Sequence, residues 1–342
     1  MGVEAMHEAM YWIRQEDGNV RCELCPHRCK ITEGKRGICQ VRENRDGTLY
    51  SLNYQRIIAS NVDPIEKKPL FHYRPGSSSF SVAAAGCNMH CGHCQNASIS
   101  QVKGSVPGEH ITPAQIVAAA QQSRCSTIAY TYTEPTIYYE TMLETAQLAR
   151  QAGLENIVVS NGYIEEAPFA ELAPLIQGAN IDLKAFDDSI YRQLCGARLA
   201  PVLRSLERFK RAGIWLEVTT LVIPGYNDDD AQLEKVAGFI ASELGPDVPW
   251  HVSAFYPTYL LKDVSPTPVE SIRRACEIGT QVGLHYVYAG NVPGKDENTV
   301  CPQCKAVVVR RHAYRVVESY MDAGKCLACG ALIAGAWNGS GA

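Results

Sequence analysis

The sequence predicts an α/β protein built around a partial or complete (β/α) barrel, with a Cys-rich module at each end. From about residue 79, strand-like and helix-like segments alternate for six or seven units, which favours a parallel sheet. Polar residues gather where the predicted strands end, as they do in barrel enzymes. No Gly-x-Gly-x-x-Gly follows a predicted strand, which argues against a dinucleotide-binding sheet.

The positions of glycine, proline and cysteine divide the 342 residues into four predicted parts. A Cys-rich N-terminal metal module covers 1–46 and begins with a short helix, or a frayed lead-in, from His7 to Gln15. A linker or approach segment covers 47–78, the barrel covers 79–294, and a zinc-ribbon-like module covers 295–342.

Local signals set the bounds of the barrel elements. Thr112 caps a helix that runs to about Ser123, with Pro113 at its first position. Gly153 ends a helix that begins near Ile137. The remaining predicted strands are 127–132, 156–160, 179–184, 215–222, 250–255 and 284–288, and the remaining predicted helices are 165–176, 201–212, 229–244 and 268–282.

Composition limits the classes of function. Apolar residues make up 46% and charged residues 20%, as in ordinary globular proteins, and the net charge is −4. This charge gives no general case for nucleic-acid or anionic-membrane binding. No apolar stretch is long enough to span a bilayer, and the N-terminus shows no signal-peptide pattern. We expect a cytoplasmic protein without a membrane partner.

The number and spacing of the cysteines are the most informative features of the sequence. Eleven of the 14 cysteines fall into three compact groups, and in a reducing compartment such groups indicate metal rather than disulfides. Cys125, Cys195 and Cys276 stand alone and are interpreted as buried thiols. The groups are Cys22, Cys25, Cys29 and Cys39; Cys87, Cys91 and Cys94; and Cys301, Cys304, Cys326 and Cys329.

The loop from Gly86 to Asn96 is the centre of the predicted site. Its Cys-x3-Cys-x2-Cys spacing lets Cys87, Cys91 and Cys94 hold three irons of a 4Fe-4S cluster and leaves the fourth open. A zinc site completed by a neighbouring histidine is the alternative. The strand before the loop and the barrel-like pattern after it favour iron.

The two terminal groups differ in how far their metal can be predicted. Little regular structure surrounds the N-terminal quartet, so metal must replace a hydrophobic core, and either zinc or a second iron–sulfur cluster fits. The C-terminal group has two Cys-x2-Cys knuckles separated by hairpin-like strands, which predicts a zinc ribbon.

Two charged residues mark the end of one predicted strand. Asp182 and Lys184 share a face at period two, so both can point into the barrel mouth. A mutual salt bridge is the alternative interpretation. Charged residues in such a strand need partners, because burial without one is costly.

Several motifs together resemble the radical S-adenosylmethionine (SAM) superfamily and, within it, the pyruvate formate-lyase activating enzymes. The chain most resembles the radical enzyme of the AmmeMemoRadiSam system in its residues 63–70 and in both terminal cysteine groups. One departure is Tyr132-Thr133-Glu134, where the activating enzymes usually have Gly-Gly-Glu. The motifs that carry the resemblance are the Cys87 loop, Tyr132–Pro135, Ser160–Tyr163, Asp182–Lys184, Val222–Asp228 and His251.

The resemblance implies a reaction and a set of cofactor contacts. A reduced 4Fe-4S cluster would cleave SAM to methionine and a 5′-deoxyadenosyl radical, which abstracts hydrogen from a substrate. Glu134 and Asp182 would accept hydrogen bonds from the ammonium group of SAM, and Lys184 would pair with its carboxylate. Ser160, Asn161 and His251 would reach the ribose or adenine.

We therefore expect the protein to be an oxidoreductase like the activases of glycyl-radical enzymes, with a low-potential electron donor as a partner. Its substrate is a protein or a small molecule. The alternatives are an RNA- or peptide-modifying radical SAM enzyme and a non-catalytic metal-binding scaffold. The acidic net charge counts against RNA, and the scaffold leaves the polar strand ends without a role.

Overall fold

The computed structural model describes residues 6–292 and 297–337. These residues form two compact units, each built from separate stretches of chain. The predicted boundary between residues 294 and 295 lies outside the described residues. Unit 1 comprises Met1–Val62, Ser79–Gln177 and Cys195–Ala197, and unit 2 comprises Asp63–Ser78, Gly178–Leu194 and Arg198–Ala342.

Unit 1 begins with small antiparallel sheets, paired in the orders β1-β6-β5 and β2-β3-β4. The predicted helix from His7 to Gln15 is wrong. A turn at Asp17-Gly18, with Gly18 at φ +74°, folds this segment into a hairpin in which Trp12 pairs with Cys22. Hairpin pairing therefore overrides helix propensity here. The strands of this part are β1 His7–Glu8, β2 Trp12–Arg14, β3 Val20–Cys22, β4 Lys30–Ile31, β5 Arg42–Arg45, β6 Thr48–Ser51 and β7 Arg56–Pro64.

The rest of unit 1 alternates strands with helices. Strands β8, β10 and β11 pair in parallel, and β7 pairs antiparallel with β9. The predicted helix after Thr112 is confirmed: the Thr112 hydroxyl accepts from the Gln115 N–H in a capping box, and Pro113 is the first helical residue. The elements are β8 Ser78–Ala84, α1 Ala97–Ser100, β9 Glu109–His110, α2 Pro113–Gln122, β10 Thr127–Tyr130, α3 Tyr139–Gln151, β11 Glu155–Ser160 and α4 Glu166–Leu172.

Unit 2 continues the same alternation. Its first four strands pair in parallel and in chain order, so the predicted α/β class is confirmed. The structure adds a helix, α5, whose start is fixed by the Asp187 carboxylate accepting from the N–H groups of Ser189 and Ile190. The elements are β12 Gly178–Asp182, α5 Asp188–Cys195, α6 Leu199–Arg211, β13 Trp215–Val222, α7 Asp230–Phe239, β14 Trp250–Ala254, α8 Val269–Val282 and β15 Val287–Gly290.

The C-terminal part of unit 2 consists of short antiparallel strands, paired in the orders β16-β17-β18 and β19-β20. Cys301 and Cys326 lie in a hydrophobic cluster with Phe71, Tyr288 and Trp337. No helix among the described residues is long and apolar enough to cross a membrane. The strands are β16 Thr299–Val300, β17 Val307–His312, β18 Arg315–Ser319, β19 Met321–Asp322 and β20 Lys325–Cys326.

Candidate active site

The cysteine loop follows directly on the buried strand β8. Gly86, between the strand and Cys87, has φ +110°, a conformation that glycine adopts freely. A Cβ at Gly86 would lie 2.8 Å from Val41 Cγ1 and 3.1 Å from the carbonyl oxygen of Cys39. The backbone before Cys87 is therefore pressed against the chain after Cys39, and only glycine fits there.

Short local bonds hold the three cysteines. The Met89 N–H donates to Cys87 Sγ at 3.4 Å, and the Cys94 N–H donates to the Cys91 carbonyl at 3.1 Å. Cys94 Sγ lies 3.2 Å from the Ser100 hydroxyl. Burial raises the pKa of the Cys87 thiol well above its usual value, and the negative charge of Glu134 adds to the rise. A bound metal would supply the positive charge that makes this sulfur a thiolate ligand.

The Ser160-Asn161-Gly162 turn is bound to this loop. Asn161 Nδ2 donates to Asn88 Oδ1 at 2.8 Å and lies 3.9 Å from Cys87 Sγ. The Asn88 side chain in turn donates to the carbonyl of Tyr163 at 2.9 Å. The structure thus brings together three predicted site features of unit 1: the cysteine loop, Asn161 and, through its neighbour, Ser160.

The Glu134 carboxylate holds the same turn through hydrogen bonds. Its Oε1 accepts from the Thr136 N–H, the Thr136 hydroxyl and the Ser160 hydroxyl, and its Oε2 accepts from the Asn161 N–H at 2.8 Å. The side chain is 2% exposed. Burial raises the pKa of Glu134, while these four hydrogen bonds oppose the rise. Glu134 therefore positions Ser160 and Asn161.

The departure at Tyr132 has a visible backbone consequence. Tyr132 adopts φ +64°, in the left-handed region that bulky residues rarely occupy and glycine occupies readily. Its carbonyl accepts from Asn96 Nδ2 at 2.7 Å, which ties this turn to the end of the cysteine loop. The chain thus keeps the backbone shape that Gly-Gly-Glu would favour, at a side-chain position that is half-buried.

In unit 2, Asp182 and Lys184 lie at the end of β12 and pair with each other. Lys184 Nζ donates to Asp182 Oδ2 at 2.7 Å. Asn227, from the Val222–Asp228 motif, donates to the carbonyls of Lys184 and Leu221, which fixes the chain after β12 to the end of β13. The mutual salt bridge is therefore present, with the Asp182 side chain one-third exposed.

His251 is held inside unit 2. Its Nε2 lies 2.6 Å from Glu217 Oε2, and both side chains are buried. Glu217 also accepts from the backbone N–H groups of Phe71 and His72 and from Trp215 Nε1. Burial opposes ionisation of Glu217, but the hydrogen bond and charge of His251 hold its pKa below the usual value.

Glu217 was missed from the sequence, where it appears only as one acid in the strand Trp215–Val222. An acid within an apolar strand signals a buried partner, but apart from the neighbouring Trp215 its partners lie 34 to 146 residues away.

The C-terminal cysteines form a compact group that could hold a metal ion. Sulfur–sulfur distances are 3.7 Å for Cys301–Cys329 and for Cys304–Cys326. Among the described residues, it is the one group of three or more His, Cys, Asp or Glu side chains whose ligand atoms all lie within 4.8 Å of one another. Tetrahedral zinc with bonds of about 2.3 Å places its sulfurs about 3.8 Å apart, so the geometry fits zinc.

Comparisons with known proteins identify the family of this chain. Residues 82–236 match the model of the radical SAM superfamily. An uncharacterized protein of Methanocaldococcus jannaschii is 43% identical over 332 residues, 96% of this chain and 99% of that protein. The isethionate sulfite-lyase activating enzyme of Nitratidesulfovibrio vulgaris is 31% identical over 109 residues, 30% of this chain and 35% of the enzyme.

A solved structure shares the fold. A radical SAM methyltransferase from Sphaerobacter thermophilus superimposes with a TM-score of 0.52 at 16% identity, over 83% of this chain and 76% of that one. The chain belongs to the radical SAM superfamily. Within that class it is a radical SAM enzyme of the oxidoreductase type, similar over about a third of its length to activating enzymes. The non-catalytic scaffold is thereby set aside.

Proposed function

We propose that this enzyme uses SAM and a 4Fe-4S cluster held by Cys87, Cys91 and Cys94 to abstract hydrogen from a protein substrate. The family implies both cofactors. When bound, they supply one-electron cleavage of SAM to methionine and a 5′-deoxyadenosyl radical. The observation that carries the proposal is the direct attachment of the Ser160–Gly162 turn to the cysteine loop through Asn161.

The residues of unit 1 have distinct parts in this proposal. The three thiolates hold the cluster, and Asn161 donates toward Cys87 Sγ, which tunes a ligand sulfur. Glu134 is a positioning residue, because its carboxylate already accepts four hydrogen bonds from the protein. Ser160 and Asn161 then present polar groups beside the cluster for the ribose of SAM.

The SAM contacts of Asp182, Lys184 and His251 stay predictions. Asp182 and Lys184 retain charged groups at a strand end, while the Nε2 of His251 is bonded to Glu217. Lys184→Met and Asp182→Asn should each weaken SAM binding to the reconstituted enzyme, with melting temperatures close to wild type. Unchanged SAM affinity in both variants would remove the pair from the binding site.

A protein substrate is favoured by the similarity to an activating enzyme. The test uses a glycyl-radical-type protein labelled with α-deuterated glycine, incubated anaerobically with the reduced enzyme and SAM. We expect 5′-deoxyadenosine that carries one deuterium, together with an organic radical signal in the electron paramagnetic resonance (EPR) spectrum. Deuterium-free 5′-deoxyadenosine with every such protein would point to a small-molecule substrate.

C-terminal zinc is also part of the proposal, and the electron donor is a low-potential one-electron carrier. The 3.7 Å sulfur–sulfur distances support zinc at Cys301, Cys304, Cys326 and Cys329. Burial raises the pKa of Cys301, but hydrogen bonds from the N–H groups of Cys304 and Gln303, together with the interactions of its sulfur with those of Cys304 and Cys329, lower this pKa to about 7. A thiolate at this position is therefore available to zinc near neutral pH.

A further inference from the structure

The N-terminal cysteines of unit 1 surround a cavity. All four sulfur-bearing residues of the quartet contribute to its wall, with Arg42 and Asn88 beside them. The cavity volume is about 20 Å³. Backbone N–H groups of the surrounding chain point at three of the four sulfurs: His27 at Cys25, Ile38 at Cys29 and Val41 at Cys39.

The spread of these sulfurs differs from that of the C-terminal quartet. Because the C-terminal group is the one group within 4.8 Å among the described residues, no three sulfurs of the N-terminal quartet come that close together. A single zinc ion would need all four sulfurs about 3.8 Å apart. A four-iron cluster instead binds each sulfur to a different iron, so its ligand sulfurs stand farther apart.

The radical SAM loop provides an internal comparison. Cys87, Cys91 and Cys94 also fail to form a group within 4.8 Å, and their family uses a 4Fe-4S cluster. One chain therefore shows two cysteine geometries, a compact one at the C-terminal end and an open one at both other sites. The N-terminal quartet has the open geometry.

A buried cation that is also paired with Glu140 faces the N-terminal quartet. The Arg42 guanidinium is 3.9 Å from Cys22 Sγ, and the side chain is 1% exposed. Four thiolates on a cluster carry net negative charge, and a charged donor beside a ligand sulfur stabilises it and shifts its reduction potential.

From these contacts we infer that Cys22, Cys25, Cys29 and Cys39 hold a second 4Fe-4S cluster, with one thiolate on each iron. All four irons are then ligated by protein, so this cluster does not bind SAM. It lies beside the Cys87 loop within unit 1: His27 Nε2 is 2.7 Å from the Asn88 carbonyl, and Asn88 lines the quartet's cavity. Such a position suits electron transfer to the loop from a low-potential one-electron carrier.

The test removes the first cluster and counts what remains. The full-length Cys87→Ala/Cys91→Ala/Cys94→Ala variant, reconstituted anaerobically with iron and sulfide, should keep about four irons and four sulfides per chain. Its reduced EPR signal should not change when SAM is added. Introducing Cys25→Ser and Cys29→Ser into this triple variant should remove the remaining iron and leave the zinc content of the protein unchanged.

A second measurement covers the case in which the triple variant does not fold. The wild-type holoenzyme should contain about eight irons per chain, and SAM should perturb about half of its reduced EPR signal. A wild-type count of four irons would overturn the inference. A triple variant that folds with two irons, with none, or with zinc in their place would also overturn it.

Discussion

The Arg42 guanidinium donates a hydrogen bond to the Glu140 carboxylate at a position where both side chains are 1% exposed. This pair joins β5 of the N-terminal sheets to helix α3 of the parallel part of unit 1. The same carboxylate oxygen accepts from the Met10 N–H at 2.8 Å. We expect Arg42→Met to lower the free energy of unfolding by about 3–5 kcal/mol, because it leaves a buried charge without its partner.

Denaturant unfolding of the reconstituted protein measures this loss. The matched control is Arg45→Met, because Arg45 is on the same strand with a side chain that is 40% exposed, and its change should stay within about 0.5 kcal/mol. Equal changes for the two variants would contradict the structural role of the Arg42–Glu140 pair.

Gly86→Ala should destabilise the cysteine loop. The substitution combines an unfavourable φ of +110° with a contact of 2.8 Å to Val41, and the expected cost is about 2–4 kcal/mol. Iron content after reconstitution should fall with it. Gly238→Ala is the control, since Gly238 lies in α7 with open space around it and alanine favours a helix by about 1 kcal/mol. A Gly86→Ala protein with wild-type stability and iron content would show that the close contact between Gly86 and the chain after Cys39 is not required.

Stability should fall in mild acid because of His72. Burial lowers its pKa to about 4, below the value of about 6.5 expected in the unfolded chain. The unfolded state therefore takes up a proton first as the pH falls. The free energy of unfolding is therefore unaffected by His72 above about pH 6.5. It falls by about 3 kcal/mol as the pH drops to 4 and is constant below that.

The comparison needed is unfolding at pH 7 and pH 5 for wild type and two variants. His72→Asn should flatten the pH dependence, whereas His110→Asn, at an exposed position, should keep the wild-type profile. His72 is neutral in this interpretation, with Nδ1 donating to the Ala334 carbonyl at 2.6 Å and Nε2 accepting from the Tyr288 hydroxyl. An unaltered slope in His72→Asn would exclude His72 as the source.

Removing one C-terminal cysteine should remove zinc alone. Cys304→Ser is expected to lower zinc from about one per chain to near zero and leave the iron of unit 1 in place. Elemental analysis measures both metals in one sample, and Cys276→Ser, outside the three cysteine groups, is the control. Retention of zinc in Cys304→Ser, or loss of iron instead, would show that the site is assigned to the wrong metal.

How far the sequence predicts the structure depends on whether a signal is local. The Thr112 cap and the strand Trp215–Val222 were predicted because their signals lie within the elements themselves. The hairpin at His7–Gln15 was not, because its pairing partner near Cys22 outweighs local propensity. The anchoring of His251 by Glu217 was also missed, since it depends on contacts from residues far away in the chain.

The candidate site shows the same division. The cysteine spacing, the strand before it and the barrel-like pattern after it predict the Cys87 loop as a cluster site, and the Asp182–Lys184 salt bridge is one of two interpretations of that pair. The two hydrogen bonds that join Glu134 to the Ser160 turn cannot be predicted from the sequence, because they connect segments 26 and 27 residues apart. Its positioning role follows from geometry.

If the Cys87 loop holds the cluster that cleaves SAM, formation of 5′-deoxyadenosine depends on its three cysteines. The anaerobically reduced wild type and the Cys276→Ser control should both convert SAM to 5′-deoxyadenosine, and Cys94→Ala should form none above background. A wild type with confirmed cluster iron that yields no 5′-deoxyadenosine, or a Cys94→Ala variant as active as the control, would contradict the claim.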